Sequence, residues 1–414
     1  MSIQPSTTKP SLFINQEFTW YVIARIIFIA GIRMTPVLLG WKLYELTGSK
    51  LSLGILGLSE VIPAILLALP AGVKVDQSNK QRLISICIGA YLFLMLCLLL
   101  VTSNYFIITT STILVEWCIY LLVFLTGAVR AYSSPAFSAF VAQLVQPHEL
   151  VKAASVNSMA WLIAAVAGPA LGGLLLGYTN ITTAFIIVCS LVFIALICMQ
   201  YVKQKPISWD PGKTKTWESV KEGLQFVLQQ KALLGSMTLD MFAVLFGGAV
   251  ALLPVFAKDI LQVGPQGLGW LLAATYLGNF IAIAFLTWKP MKSKQGKKLF
   301  YVVAGFGVSI LVFALSKNYW LSFAALFISG LFDGVSVIIR ATVLQLFVPN
   351  EMRGRVSSVS SIFINSSNEL GQFESGVAAS ILGTVPSVVF GGCMTLAVVI
   401  VTWFKAPTLR KLEY

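Results

Sequence analysis

Gln143-Leu144-Val145-Gln146-Pro147-His148-Glu149-Leu150 returns as Gln345-Leu346-Phe347-Val348-Pro349-Asn350-Glu351-Met352, 202 residues further along the chain. Each copy follows the fourth apolar run of its own half and precedes the fifth, so the chain reads as two halves of six runs. The first half supplies 18 to 44, 52 to 73, 83 to 103, 113 to 134, 155 to 177 and 181 to 202. The second supplies 232 to 256, 266 to 288, 299 to 316, 319 to 341, 356 to 382 and 385 to 405. Most reach the ~20 residues that a helix rising ~1.5 Å per residue needs to cross a hydrocarbon core. With 57% of residues apolar and 11% charged, water is not the main solvent of this chain. The expected fold class is an all-α membrane protein with twelve transmembrane helices in two pseudo-symmetric six-helix lobes, 1–202 and 232–414. Between them, 203–231 is expected to be a cytoplasmic linker. Its apolar residues at 217, 220, 224 and 227 keep helical spacing and predict a short amphipathic helix lying on the membrane surface.

The formal charge of +13 does not point to nucleic acid, because the basic residues sit between apolar runs without aromatic interleaving or a nucleic-acid motif. The lipid bilayer is the partner they fit. With the N-terminus in the cytoplasm, that side collects 23 of the 29 Lys and Arg and the other side four, which predicts both termini cytoplasmic. The first seventeen residues are polar and no small-x-small cleavage site follows the first run, so no removable signal peptide is expected. All six cysteines fall inside apolar runs without C-x-x-C spacing, and His148 is the single histidine, so neither disulfides nor a metal site is expected. No nucleophile-base pair argues for an enzyme, and no phosphate-binding loop argues for ATP or another cofactor.

Charges inside membrane helices cost roughly 2.5–3.5 kcal/mol each on insertion scales and therefore read as functional. Eight occur: Arg25, Arg33, Glu60, Glu116, Asp240, Asp333, Glu369 and Glu374. Glu116 lies near the outer end of its helix and can snorkel. Depth at ~1.5 Å per residue places Arg25, Asp240 and Asp333 on one level near the cytoplasmic boundary, and Arg33, Glu60 and Glu369 near the middle. Ser361, Asn365, Asn368, Glu369, Gln372 and Gly376 share one helical face, a polar stripe suited to a cavity wall.

Four segments resemble the major facilitator superfamily, within it the branch of bacterial exporters that includes the enterobactin exporter and macrolide-efflux proteins. Trp41 to Ser49 runs into Gly72-Val73-Lys74-Val75-Asp76-Gln77-Ser78-Asn79-Lys80-Gln81-Arg82, similar to the loop signature G-x-x-x-D-R-x-x-R/K, with Gln77 where the signature has Arg. Gly127 to Ala136, with Arg130, ends the fourth run. Gly168-Pro169-Ala170-Leu171-Gly172-Gly173 is similar to the G-P-x-x-G-G element associated with antiporters. Arg353-Gly354-Arg355-Val356-Ser357-Ser358 leads into Ser366 to Gly376. The resemblance implies that Gly72, Asp76, Lys80, Arg130, Arg353 and Arg355 form a gate in which Asp76 pairs with Arg130, faces the start of helix 11 and latches the cytoplasmic side shut in the outward-facing state. It implies that helices 1, 4, 7 and 10 line a central cavity, where Arg25 would meet Asp240 or Asp333 across the lobes when the cytoplasmic mouth closes. It also implies that helices 2 and 11 face each other. Glu60 and Glu369 would then resist joint ionisation in a low dielectric and hold a proton at neutral pH, with Arg33 favouring their ionised form. Independently, the glycines at 168, 172 and 173 permit close backbone approach of another helix, and Pro169 favours a bend, which reads either as plain helix packing or as part of the gate, a packed hinge seal between the lobes.

The reading that results is a secondary transporter, expected to act as a monomer in the bacterial cytoplasmic membrane. It would export a small amphipathic or hydrophobic molecule, of drug or siderophore type, by alternating access, with the proton gradient as energy source. An uptake symporter or lipid translocator on the same fold is the first alternative. A non-transporting sensor or scaffold is the second.

Overall fold

The computed structural model describes residues 15–206, 216–289, 291, 293–349 and 352–413. Within its helices, the side chains of Leu69, 216–220, Arg353, Gly354, Ser358, Ser361, Ile362 and Asn365 lie outside that description. Twelve long helices follow the twelve apolar runs. They are α1 (Gln16–Thr47), α2 (Lys50–Asp76), α3 (Lys80–Val101), α4 (Thr112–Leu144), α5 (Leu150–Tyr178) and α6 (Ile181–Gln200), then α7 (Lys231–Gly247), α8 (Gly264–Trp288), α9 (Gln295–Leu315), α10 (Tyr319–Phe347), α11 (Arg353–Leu382) and α12 (Thr384–Lys405). Eleven are long and apolar enough to cross a membrane; α11 is long enough, but its Ser, Asn, Gln and Glu residues depress its hydropathy. Among the described residues there is no β-strand, as expected where no water is available to satisfy an open sheet edge.

Helix starts are capped by side chains that take up otherwise unpaired N–H groups. Asn15, Ser49, Asn79, Ser111, Asn180 and Asn318 do so for α1, α2, α3, α4, α6 and α10. Asn15 also ties α1 to the end of α4, its Nδ2 donating to the Leu144 carbonyl at 2.7 Å. The rest of the seventh run is irregular. Past Gly248 it continues as a 3₁₀ turn Ala249–Leu252, a turn Leu253–Val255 and a π-turn Phe256–Ile260. Ser375 of α11 donates to the Gly248 carbonyl at 3.1 Å, which satisfies one backbone group at that break.

Packing repeats with a period of six helices. α1 lies on α5 and α6, α2 on α4, and α3 on α4 and α6; α7 lies on α11 and α12, α8 on α10, and α9 on α10 and α12. Between the halves the main pairs are α2 with α11 and α5 with α8, which the same exchange interconverts. Each half is thus a six-helix lobe, and the lobes are related by pseudo-symmetry, as the internal repeat predicts.

The lobes meet at the ends of the helices far from the two termini. A Cβ on Gly173 of α5 would stand 2.5 Å from Gly269 Cα of α8, and one on Gly376 of α11 would stand 2.6 Å from Gly54 Cα of α2. Only glycine permits these approaches. Nearby, Tyr44 donates to Asp259, and Lys258 lies 5.4 Å above the Tyr44 ring, joining α1 to the π-turn. The hydrophobic core follows the same division. One cluster runs through the first lobe and across to far-end residues of the second, such as Leu252, Phe256 and Leu268, whereas the terminus end of the second lobe has a core of its own, with Leu239, Phe300 and Leu409. This conformer is therefore closed at the far face.

The linker helix Thr216–Gln229 forms where the spacing predicts it. Its Val227 is fully buried and Gly223 packs on the Arg355 backbone, so part of its apolar face covers α11 and α7 instead of lipid. Residues 207–215 of the predicted linker lie outside the described residues, as do the side chains of Trp217 and Val220.

Replacing Gly173 by Leu is expected to wedge α5 from α8 at the far face. Spin labels at positions 47 and 262, both at that face, should report a longer and broader distance distribution in Gly173→Leu, with Gly89→Ala, whose Cβ meets nothing within 4 Å, as the unchanged control. Superimposable distributions for Gly173→Leu and the parent would contradict the seal.

Candidate functional site: a charge bridge and a chamber

At mid-depth one guanidinium serves carboxylates from both lobes. Arg130 of α4 places Nη1 2.7 Å from Glu60 Oε1 of α2 and 2.6 Å from Glu369 Oε1 of α11. The position of Arg130 follows from local sequence. Gly127, one turn earlier, lies so close to α2 that a Cβ there would stand 2.1 Å from the Glu60 carbonyl and 2.8 Å from the Pro63 ring. That approach sets Arg130 beside Glu60. Glu369 is 6% accessible and its Oε2 has no hydrogen-bond partner, so the one cation does not saturate the two acids.

In this conformer, closed at the far face, Arg130 does not pair with Asp76, which is exposed and makes no ion pair among the described residues; that pairing is an expectation for the opposite state. The geometry corrects two other expectations. Helix α4 does not stop near Ser134 but runs on to Leu144, leaving Arg130 ~21 Å from its end. Pro135 is tolerated inside it, and the Ser133 and Ser138 hydroxyls bond back to the Arg130 and Ser134 carbonyls. Nor is Arg33 the cation beside Glu60 and Glu369. Its guanidinium lies 5.3 Å from the Trp161 ring of α5 and 5.5 Å from the Tyr276 ring of α8, and Nη1 donates to the Tyr276 hydroxyl at 3.3 Å. It spans the lobes through aromatic faces. The expected meeting of Glu60 with Glu369, and of α2 with α11, is present.

Arg25 and Asp240 do not meet in this conformer. Arg25 donates to the Tyr21 hydroxyl at 3.0 Å and lies 5.6 Å from the Phe137 ring, both in its own lobe. Asp240 pairs with Arg340 of α10 at 2.6 Å. Asp333 accepts from Asn279 Nδ2 of α8 at 2.7 Å, a reach allowed because Gly334 lets α8 come close. Since α10 continues to Phe347, Asp333 lies fourteen residues from its end, deeper than the level it was expected to share with Arg25.

The remaining predicted gate residues divide. Gly168 and Gly172 receive α1 at Arg33 and Met34, while Gly173 and the Pro169 carbonyl receive α8, so the G-P-x-x-G-G element joins α5 to both lobes. Gln372 fills the space left by Gly57. Asn368 turns back to the Ile364 carbonyl at 2.9 Å. Lys80 is buried, and Arg355 pairs with Glu222 of the linker helix. The side chains of Arg353 and Asn365 lie outside those described. Glu116 accepts from Ser52 and Tyr120, which holds it within the first lobe.

On the terminus side of the bridge, the first turns of α7 and α11 and the last turns of α10 enclose a cavity of about 410 Å³ lined by Asp240 and Arg340. Sequence reading missed Arg340 because a charge near the predicted end of a run reads as a loop residue. It missed Tyr276, Trp161 and Asn279 because a polar or aromatic partner on another helix leaves no local signal.

The family model of the Major Facilitator Superfamily matches residues 21–367 and 241–412. The chain is 24% identical to the staphyloferrin A transporter of Staphylococcus aureus, over 91% of this chain and 93% of that one. It is 24% identical to the enterobactin exporter EntS of Shigella flexneri, over 58% of this chain and 57% of that one. Among solved structures, a D-xylose-proton symporter superposes with a TM-score of 0.71 at 12% identity, covering 97% of this chain and all of the other, a likeness of fold.

Removing the shared cation strands two carboxylates, of which Glu369 is buried and Glu60 partly exposed, a loss of about 1–3 kcal/mol. Arg130→Ala is expected to lower the melting temperature of the detergent-solubilised protein by roughly 2–5 °C. Arg130→Ala/Glu369→Gln should regain part of that loss. A single-variant melting curve that overlays the parent would show that the bridge contributes nothing.

Proposed function

The chain belongs to the Major Facilitator Superfamily and is a multi-pass membrane transporter, not an enzyme; from that premise we propose that it exports a small amphipathic or hydrophobic compound, of drug or siderophore type, in exchange for protons. The site of action is the bacterial cytoplasmic membrane, with both termini in the cytoplasm and the monomer as working unit. The observation that carries the reading is the Glu60–Arg130–Glu369 bridge: two acids from opposite lobes, one cation and one unpartnered carboxylate oxygen at mid-depth.

When the lobes part at mid-depth, Arg130 stays with Glu60 and Glu369 loses its partner; open to the outside, Glu369 takes up a proton there and carries it inward as the lobes return. Loss of that proton to the cytoplasm remakes the bridge. With the termini in the cytoplasm, the conformer described here is sealed from the outside and bridged, which is the state that has released its proton and takes up cargo. Arg355 and Glu222, exposed in this state, together with Asp76, Gly72 and Lys80, would close the cytoplasmic side in the opposite state. Export draws support from the G-P-x-x-G-G element and from the relative named as an enterobactin exporter, and a siderophore-type cargo from that relative and the one named for staphyloferrin A.

A growth screen of a deletion strain against drugs and siderophores identifies a cargo, whose movement is then followed in everted membrane vesicles. Cargo should accumulate when the vesicle interior is acidified and stop when nigericin collapses the pH gradient. Glu369→Gln should slow accumulation roughly tenfold or more at unchanged protein level. Transport indifferent to both would refute proton coupling, and gradient-driven movement in the other sense would make the protein an importer.

A further inference from the structure

Among the described side chains, the wall of the second lobe beside Asp240 is one positive charge short. Asp240 Oδ2 accepts from Arg340 Nη1 at 2.6 Å, and Arg340 Nε donates to Ser336 Oγ at 3.3 Å. Behind this pair, Asp333 shares a void of about 10 Å³ with Asp240, and its hydrogen-bond partner is the neutral amide of Asn279. Two carboxylates therefore face one guanidinium, at 8% and 12% side-chain accessibility for Asp240 and Arg340. Excess charge held out of water is expensive unless a counter-charge arrives.

The cavity in front of the pair, about 410 Å³, has the size of a small-molecule site. Among the described side chains, Asp240 and Arg340 are its only ionisable lining residues, and most of the rest is apolar and adaptable, with Met237, Met241 and Phe363 beside the hydroxyls of Ser357 and Ser360. Thioethers reshape easily around irregular molecules, and an aromatic face attracts a cation. We propose that this cavity binds a lipophilic organic cation, its positive group beside Asp240, with the charge of Asp333 in the void behind, and its apolar body on Met237, Met241 and Phe363. The proposal rests on the reading of the chain as a transporter of amphipathic compounds and narrows that class to monovalent cations. Arg340 holds Asp240 in place and limits the surplus to one charge.

Tetraphenylphosphonium and tetraphenylborate have the same shape and opposite permanent charges, so together they isolate the sign of the site. Equilibrium titration of the purified full chain in zwitterionic-lipid nanodiscs, with empty nanodiscs subtracted, should show the cation binding at least roughly tenfold tighter than the anion. Asp333→Asn should bring the ratio near one, and Arg340→Gln should raise it. Asp240→Asn strands Arg340 and endangers the fold, so the double variant Asp240→Asn/Arg340→Gln serves as the second test. It keeps the surplus on Asp333 and should keep the preference for the cation. Equal affinities in the parent protein, or a preference that Asp333→Asn leaves unmoved, would overturn the proposal. The assay uses no gradient, so the two readings fail separately. Gradient-driven export of a neutral or anionic cargo without cation preference sinks only the charge class. Selective binding of the phosphonium, with no compound moved in vesicles, sinks only the exporter.

Discussion

Everything at mid-depth turns on a single nitrogen, Arg130 Nη1, that bonds a carboxylate from each lobe. With Glu369 buried and Arg130 and Glu60 partly exposed, one cation serves two acids, which leaves one negative charge uncompensated and one oxygen of Glu369 unbonded. The arrangement is unequal by construction. Glu60 and Arg130 belong to the same lobe, locked by the approach of Gly127 to α2, whereas Glu369 reaches them across the interface. Parting the lobes at this depth therefore breaks one charge-assisted contact and keeps the other. No cation has to be left bare, and the acid that loses its partner is the one with room for a proton.

The far face is closed by different means. There, α5 on α8 and α2 on α11 approach through glycine backbones, and the contacts are van der Waals with few polar groups. Lipid tails are as apolar as leucine, so such an interface gains from fit and not from escape from water, and it can be exchanged for another packing at small cost. On the terminus side the candidate contacts are charged and exposed: Arg355 with Glu222, and Asp76 without a partner. One face thus closes by shape and the other has charges available for closing. The irregular end of the seventh run, with Tyr44 bonded to Asp259, adds the one polar contact of note to the shape-closed side.

Twelve helices were legible because hydropathy and length act locally, run by run, and the repeat after the fourth and tenth runs carried the division into lobes. What escaped reading was non-local. Arg130 and Arg340 look like punctuation when each is judged by its neighbours in sequence, so α4 and α10 were expected to end ten and six residues early. Both are interior because acids on other helices, Glu60 and Glu369 for one and Asp240 for the other, neutralise them. The same rule explains Arg33, whose counterparts are the rings of Trp161 and Tyr276. Helix α11 is the converse case. Its polar face spoils its hydropathy, and its place among the twelve follows from the symmetry of the fold.

The interior charges also sort by lobe. The first holds Arg25, Arg33 and Arg130 against Glu60 and Glu116; the second holds Arg340 against Asp240, Asp333, Glu369 and Glu374. A positive lobe and a negative lobe attract across a dry interface far more than they would through water. Sealed at the far face, the molecule keeps them apart on the terminus side, where Arg25 is buried with its Nε unpartnered and no carboxylate beside it. The cavity beside Asp240 and Arg340 is lined by the second lobe alone, so it opens onto the negative set, while Arg25 of the first lobe is left to the Tyr21 hydroxyl and the Phe137 ring.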